Sequence, residues 1–219
     1  FPNTTVTVNN TSSPGTWNYN WDFGDTTFSN LQNPAPHVYG TWGIYTIELI
    51  VSNANCADTA YQQVEIQAPV PVAAFEGPAQ GCMPLTVQFT NNSQFADTYL
   101  WDFGDGGNST QFEPNYTYYN PGIYTVTLTA FGPGGQNTIV RQLIIEVYQM
   151  PTAFFTLNPT TVFIPNEPVS FFNLSNFASN YFWDFGDGNT STEAFPQHFY
   201  TQLGVYDIML IASTPNNCL

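Results

Sequence analysis

The pentapeptide Trp-Asp-Phe-Gly-Asp occurs three times in this chain, at Trp21–Asp25, Trp101–Asp105 and Trp183–Asp187. Its spacings of 80 and 82 residues indicate that one supersecondary unit is repeated in tandem. In each copy a tyrosine stands two residues before the tryptophan and a phenylalanine two residues after it. Strand alternation places these three rings on one face. We therefore expect a β-strand whose aromatic face belongs to a hydrophobic core.

A second motif, Gly-x-Tyr, follows each tryptophan by 21 or 22 residues and opens an alternating strand, at Gly43, Gly122 and Gly204. Together the two motifs resemble those of the polycystic kidney disease (PKD) domain family. The resemblance covers essentially the whole chain. It implies an all-β protein of three tandem immunoglobulin-like sandwich domains, which we assign to residues 1–68, 71–148 and 152–219.

The composition agrees with an all-β fold and disfavours several partners. The 219 residues include 17 Pro and 16 Gly, and 17% are aromatic. One basic residue, Arg141, stands against 16 acidic ones, for a net charge of -15. Because one basic residue makes no patch that could neutralise phosphates, the composition disfavours nucleic acid and an anionic membrane surface as partners. We find no apolar run long enough to insert in a membrane.

The linkers and the ends of the chain define its expected organisation. Gln67–Pro71 and Gln149–Pro151 are short and contain proline, so they favour semi-rigid connections and an elongated rod. By alignment of the copies, the first domain lacks its first strand and the third lacks its last. We therefore expect the chain to be a segment of a longer protein.

The paired aspartates are the residues of this chain that most resemble a functional site. We expect the first of each pair to face away from the core and the second to lie in the turn. One interpretation is structural: the carboxylates accept backbone hydrogen bonds and cap the turn. The other is a calcium site, since hard cations prefer oxygen ligands and some members of the resembled family bind calcium. Neither interpretation requires a cofactor. The candidate metal ligands are Asp22, Asp25, Asp102, Asp105, Asp184 and Asp187.

Two tryptophans lie outside the repeated motif. Trp21, Trp101 and Trp183 belong to the core by their strand position. Trp17 and Trp42 have no counterpart in the other copies, so they are the candidates for an exposed contact surface.

Catalysis finds little support in the sequence. His37 and His198 occupy equivalent positions, and Tyr116 replaces them in the middle copy, which indicates a packing position rather than a catalytic base. We find no nucleophile elbow, histidine-rich metal set or phosphate loop. We therefore interpret the chain as not being an enzyme.

The three cysteines follow the polarity of the repeats. Cys56 and Cys218 both follow the Gly-x-Tyr strand, which is strand F in immunoglobulin lettering, whereas Cys82 lies in the loop between strands A and B. In the resembled topology these loops lie at opposite ends of one sandwich, beyond the Cα separation of about 7 Å that a disulfide allows. The resemblance therefore implies a bridge between repeats, from Cys82 to Cys218, with Cys56 paired to a missing domain or another chain. The alternative is three free buried thiols.

Glycosylation motifs are frequent. Thr26 and Thr59 stand in Asp-Thr-Thr and Asp-Thr-Ala sequences that resemble a bacterial O-glycosylation site. Glycans would help to keep so weakly charged a surface soluble. Asn-x-Ser/Thr sequons occur at Asn3, Asn9, Asn10, Asn91, Asn108, Asn115, Asn173 and Asn189.

These features favour an extracellular or cell-surface location, since disulfides persist in oxidising compartments. We expect a structural tandem-repeat segment of an adhesin or a filament. Its partners would be other domains of the same long chain, neighbouring copies, or glycans. The alternative is a carbohydrate- or protein-binding accessory segment of a secreted hydrolase.

Overall fold

All regular elements in the computed structural model, which describes residues 4–164 and 167–219, are β-strands. The chain divides into two compact units. The first contains Phe1–Val72, Gln94–Asp97 and Phe131–Asn137. The second contains Ala73–Ser93, Thr98–Ala130 and Thr138–Leu219. The predicted all-β class of tandem immunoglobulin-like sandwiches is confirmed.

The first repeat forms two antiparallel sheets. One has the order β3-β2-β5-β6 and the other pairs β1 with β4. Its core contains Trp21 and Phe23 from the repeated motif together with Tyr39, Ile47 and Ile66. Its strands are β1 (Thr4–Val6), β2 (Asn18–Asp22), β3 (Phe28–Ser29), β4 (His37–Tyr39), β5 (Gly43–Ser52) and β6 (Ala57–Ile66).

The second repeat has strands β7 (Phe75–Glu76), β8 (Ala79–Cys82), β9 (Leu85–Gln88), β10 (Thr90–Asn91), β11 (Thr98–Asp102), β12 (Asn108–Ser109), β13 (Asn115–Tyr118), β14 (Gly122–Gly132) and β15 (Gly135–Tyr148). Its main sheet has the order β12-β11-β14-β15-β8, and β13 pairs with β9 and β10 with β7. Trp101 and Phe103 are fully buried in its core. Burying an aromatic side chain removes about 150–250 Å² from water, which makes these rings the main stabilising element of a small sandwich.

The third repeat has strands β16 (Phe155–Asn158), β17 (Val169–Asn173), β18 (Asn180–Asp184), β19 (Thr190–Ser191), β20 (Gln197–His198) and β21 (Met209–Ser213). They form two three-stranded sheets, β16-β17-β20 and β19-β18-β21. Trp183 and Phe185 occupy its core, as their counterparts do in the other repeats.

Strand F of the third repeat is shorter than the sequence predicts. The alternation predicts a strand over Val205–Ser213, but β21 begins at Met209. In the first repeat, residues 43–47 of strand F pair only with β6, whereas β2 pairs with residues 48–52. Residues 205–208 have no such final strand beside them within the described part of the third repeat, so the first half of its strand F lacks a ladder to join.

The sequence does not predict strand β8, because Gly77, Pro78 and Gly81 favour a loop. It pairs in parallel with the end of β15, with Cys82 opposite Tyr148. The backbone amide of Met83 then donates to the Tyr148 carbonyl at 3.0 Å. This pairing fixes Cys82 beside the last residues of the second repeat, where the linker to the third repeat begins.

Candidate functional site

The tryptophan of the repeated motif has a structural role in every repeat. Its ring is buried, with an exposed fraction of 4% or less. Its indole nitrogen donates to a backbone carbonyl ten residues later, on Leu31 at 3.1 Å, Gln111 at 2.9 Å and Glu193 at 2.9 Å. A buried indole needs such a partner. These rings therefore offer no platform for a sugar.

The first aspartate of each pair stabilises the turn that follows it. The Asp102 carboxylate accepts a hydrogen bond from the backbone amide of Gly104 at 2.9 Å. Gly104 has a φ of +83°, which L-residues rarely adopt. The same bond recurs from Gly24 to Asp22 at 2.8 Å and from Gly186 to Asp184 at 2.9 Å.

The second aspartate joins the turn to an aromatic ring on a neighbouring strand. Asp105 accepts from the Gly107 amide at 3.0 Å and from the Tyr116 hydroxyl at 2.8 Å. The Tyr116 ring stacks on Phe103 with a centroid separation of 3.8 Å. In the other repeats a histidine replaces the tyrosine, with His37 at 2.7 Å from Asp25 and His198 at 2.7 Å from Asp187, stacked on Phe23 and Phe185.

This geometry confirms that His37, Tyr116 and His198 share a packing position. Burial raises the pKa of the Asp25 carboxyl, but the hydrogen bonds from Thr27 and His37 lower it more, so its pKa lies below its ordinary value. The pKa of Asp187 is lowered in the same way, with burial opposed by hydrogen bonds from His198 and Asn189. Both carboxylates are therefore held in their charged form by groups of their own repeat.

Two sets of tyrosine hydroxyls donate to backbone carbonyls. Tyr124 at the start of strand F donates to the Asn120 carbonyl at 2.9 Å, as in the tyrosine corner of immunoglobulin-like domains. Tyr118 donates to the carbonyl of Phe103, inside the motif, at 3.0 Å. Sequence reasoning missed this second bond, although the tyrosine recurs at a near-constant distance from the motif. The equivalent pairs are Tyr45 to Thr41 and Tyr206 to Gln202 for the corner, and Tyr39 to Phe23 and Tyr200 to Phe185 for the motif.

The calcium hypothesis stays a prediction. Among residues 4–164 and 167–219, no three His, Cys, Asp or Glu side chains are grouped so that they could hold a metal ion. The carboxylates of each motif accept hydrogen bonds from the amides of their own turn. A cation would have to compete with these donors.

A disulfide joins two repeats. Cys82 at the end of β8 and Cys218 after β21 are bonded, with their Cα atoms 5.6 Å apart and a sequence separation of 136. This is the pairing that the sequence predicted, and it lies within the second compact unit. Cys218 is almost completely buried, with an exposed fraction of 1%. Cys56 is a free, exposed thiol in the first repeat.

The two candidate contact tryptophans lie on different surfaces of the first unit. Trp17 is half-buried and lines a groove that also contains Cys56 and Ser13. Trp42 is 40% exposed and lines a smaller cleft of about 180 Å³ with Pro69, Phe95, Ala96, Asp97 and Pro133.

The predicted glycosylation sites differ in accessibility. Asn91 is buried, and its side-chain amide donates to the Phe112 carbonyl at 3.1 Å. A glycan on this nitrogen does not fit the folded repeat, so Asn91 is corrected to a structural residue. Asn3 lies outside the described residues. Asn10 and Asn173 are half-buried, and the exposed candidates are Asn9, Asn108, Asn115, Asn189, Thr26 and Thr59.

Comparisons with known proteins identify the repeats. The family model for the PKD domain matches residues 2–68, 66–147 and 165–218. Human polycystin-1 is 26% identical over 227 residues, which cover 94% of this chain and 5% of that protein. Pre-pro-metalloprotease PrtV of Vibrio cholerae serotype O1 (strain M66-2) is 40% identical over 78 residues, which cover 34% of this chain and 8% of that protein. The crystal structure of the PKD1 domain of Vibrio anguillarum Epp has 34% identity and a TM-score of 0.33, and the match covers 37% of this chain and all of that domain.

The fold and the aspartate turn define a class of protein, the tandem immunoglobulin-like β-sandwiches. Within that class, the chain belongs to the PKD domain family. It spans less than a tenth of the length of the curated relatives named above. In the described residues, no helix has the length and apolar character that crossing a membrane requires.

Proposed function

We propose that this chain is a non-catalytic structural segment of an extracellular or cell-surface protein, acting as a stiff spacer or assembly module in an adhesin or a filament. The observation that carries the proposal is the disulfide between Cys82 and Cys218. A covalent bridge between consecutive repeats restricts their relative motion. A spacer needs this restriction, and a mobile linker alone would not provide it. Stable disulfides are also typical of oxidising, extracellular compartments.

The bridge also changes how the chain would carry tension. Because Cys82 and Cys218 are bonded, force applied to the two ends of the chain passes directly from one sulfur to the other. The residues between them, which form most of the second and third repeats, are shielded from this load. A segment with such a bypass resists extension even when a sandwich inside the loop opens.

The side chains that most resemble catalytic groups support a structural role. Asp25 and His37 are bonded to each other, and His37 stacks on Phe23. In the second repeat Tyr116 takes the place of the histidine on Asp105. A tyrosine and a histidine exchange readily as hydrogen-bond partners that pack on a ring. They do not exchange readily as acid–base catalysts near neutral pH, where only histidine titrates.

Small-angle X-ray scattering tests the spacer role. A compact globule of 219 residues would have a radius of gyration of about 17 Å. Domains held in series should give about twice this value, and the value should be unchanged between low and high salt. A radius near 17 Å would exclude the spacer role. A broad distribution of sizes with the disulfide intact would exclude stiffness.

The second candidate function is a carbohydrate- or protein-binding accessory segment of a secreted hydrolase. The similarity to pre-pro-metalloprotease PrtV favours it, as does the cleft beside Trp42, which places two aromatic rings and the Asp97 carboxylate together. A glycan array would distinguish the two functions. Binding that is lost in Trp42→Ala or Trp17→Ala but kept in Trp42→Phe would support the accessory role.

A further inference from the structure

The turn that holds Cys56 in the first repeat has the same design as the turn that holds Cys218 in the third. In the first, the Asn53 amide donates to the Cys56 carbonyl at 2.9 Å, and the Cys56 amide donates to the Asn53 side chain at 2.9 Å. In the third, the Thr214 amide donates to the Cys218 carbonyl at 3.1 Å, and the Cys218 amide donates to the Thr214 hydroxyl at 3.1 Å. The turn in the third repeat is one residue longer, but each cysteine closes its turn through the same pair of bonds to the residue that opens it.

Their surroundings differ. Cys218 is buried and bonded to Cys82, which lies at the corner between β8 and β9 in the preceding repeat. Cys56 is exposed and unbonded. One chain thus contains a similar turn twice, once with its cysteine bonded to the A–B segment of another repeat and once with an exposed free cysteine.

A groove lies at the open turn. Its volume is about 410 Å³, and its walls include Trp17, Leu49 and Val51 beside Cys56. The Trp17 indole donates to the Ser13 carbonyl at 3.0 Å, which holds the ring in place as one wall. A preformed groove with a mixed polar and apolar lining, in which Asp58 is the charged residue, suits an uncharged segment that carries a cysteine.

We propose that this groove is the docking and disulfide site for the A–B segment of another PKD repeat, the stretch that corresponds to residues 79–88 and carries a cysteine at the position of Cys82. The inference rests on the proposed tandem role and names its partner. Residues 79–88 of the second repeat show the chemistry of such a segment. They contain no charged side chain, so they bring no like charge against Asp58 in the groove.

The covalent step is a thiol–disulfide exchange. A disulfide oxidant first forms a mixed disulfide with the cysteine of the A–B segment and releases its first thiol. The Cys56 thiol loses its proton to water, and the resulting thiolate attacks the sulfur of the A–B cysteine, forms the new S–S bond and expels the oxidant's second thiolate. In total two thiols are oxidised by two electrons and one disulfide is reduced to two thiols.

A kinetic experiment on the whole chain tests the site. With Cys82–Cys218 closed, Cys56 is the one free thiol among the three cysteines. The probe is a linear peptide of residues 79–88 whose cysteine carries a 2-nitro-5-thiobenzoate leaving group. Release of the coloured thiolate gives the rate, and Cys56→Ser should give none.

Docking should raise the rate at least about tenfold over a linear peptide of scrambled sequence, because it raises the effective concentration of the reacting sulfur. Trp17→Ala should remove this preference while leaving the rate with the scrambled peptide unchanged. Equal rates for the two peptides would overturn the proposal. A chain that instead forms mainly Cys56–Cys56 dimers with the peptide present would overturn it too, in favour of a second copy as the partner. Neither failure affects the scattering test of the spacer role, because Cys56 takes no part in the Cys82–Cys218 bridge.

Discussion

The Tyr118 hydroxyl donates to the backbone carbonyl of Phe103 at 3.0 Å, which ties strand β13 to the repeated motif inside the core of the second repeat. Both side chains are fully buried. Burial raises the pKa of Tyr118, and the negative charge of Asp105 adds to this effect. The hydroxyl therefore stays a hydrogen-bond donor far into the alkaline range.

Replacing this donor should destabilise the second repeat. Tyr118→Phe leaves the buried Phe103 carbonyl without its partner, and we expect a loss of about 1–3 kcal/mol in the free energy of unfolding. Chemical denaturation monitored by tryptophan fluorescence would measure it. The control is Tyr119→Phe, because the neighbouring Tyr119 is 72% exposed and should change stability little. Equal effects of the two variants on the free energy of unfolding would show that the buried hydrogen bond does not stabilise the repeat.

The motif glycines separate two effects of backbone geometry. Gly104 and Gly106 both have positive φ, +83° and +94°. A Cβ on Gly104 would clash with the Thr125 carbonyl oxygen, whereas one on Gly106 would meet nothing within 4 Å. Gly106→Ala should therefore cost only the conformational strain, about 1–2 kcal/mol. Gly104→Ala should cost clearly more, measured as the difference between their denaturation midpoints, and a similar cost for both would contradict the clash.

Acid should weaken the first and third repeats through their Asp–His pairs. The pKa values of Asp25 and Asp187 are lower folded than unfolded, so their contribution is complete above the ordinary aspartate pKa of about 3.9 and is lost as the pH falls through the lower folded value. Asp187→Asn should lower the melting temperature at pH 6, and the gap to the parent chain should shrink between about pH 4 and pH 2. Glu76→Gln, at an exposed site, is the control. A gap that stays constant with pH would contradict this assignment.

Breaking the bridge between repeats should lower stability. Cys82→Ser opens a covalent link across 136 residues, and we expect the free energy of unfolding to fall by about 2–5 kcal/mol. Differential scanning calorimetry would follow the transition. Cys56→Ser is the matched control, since Cys56 has no disulfide partner in this chain. If both variants melted alike, the bridge would not contribute to stability.

The sequence predicted the parts of the fold that repeat. Alternation around Trp101 placed the aromatic face in the core, and the exchange of His37 for Tyr116 identified a packing position. The polarity of the repeats predicted which cysteines meet. These inferences succeeded because each depended on a pattern that recurs in all three copies.

What the sequence did not predict depends on local partners. Strand β8 forms although its glycines predict a loop, because the end of β15 offers it an edge. Residues 205–208 alternate like a strand but have no final strand to pair with in the described third repeat. Asn91 lies in a sequon, yet its side-chain amide donates a hydrogen bond to the Phe112 carbonyl. In each case a tertiary neighbour, which the local pattern does not encode, decided the outcome.

The central claim is that a disulfide between repeats makes this chain a load-bearing segment, and single-molecule pulling between its two ends tests that claim most directly. With the bridge closed, the 136 residues that it spans cannot extend. Adding a reductant should lengthen the fully unfolded chain by about 490 Å, at about 3.6 Å for each released residue. The same gain should appear without reductant in Cys82→Ser. Equal contour lengths for the parent chain with and without reductant would contradict the account.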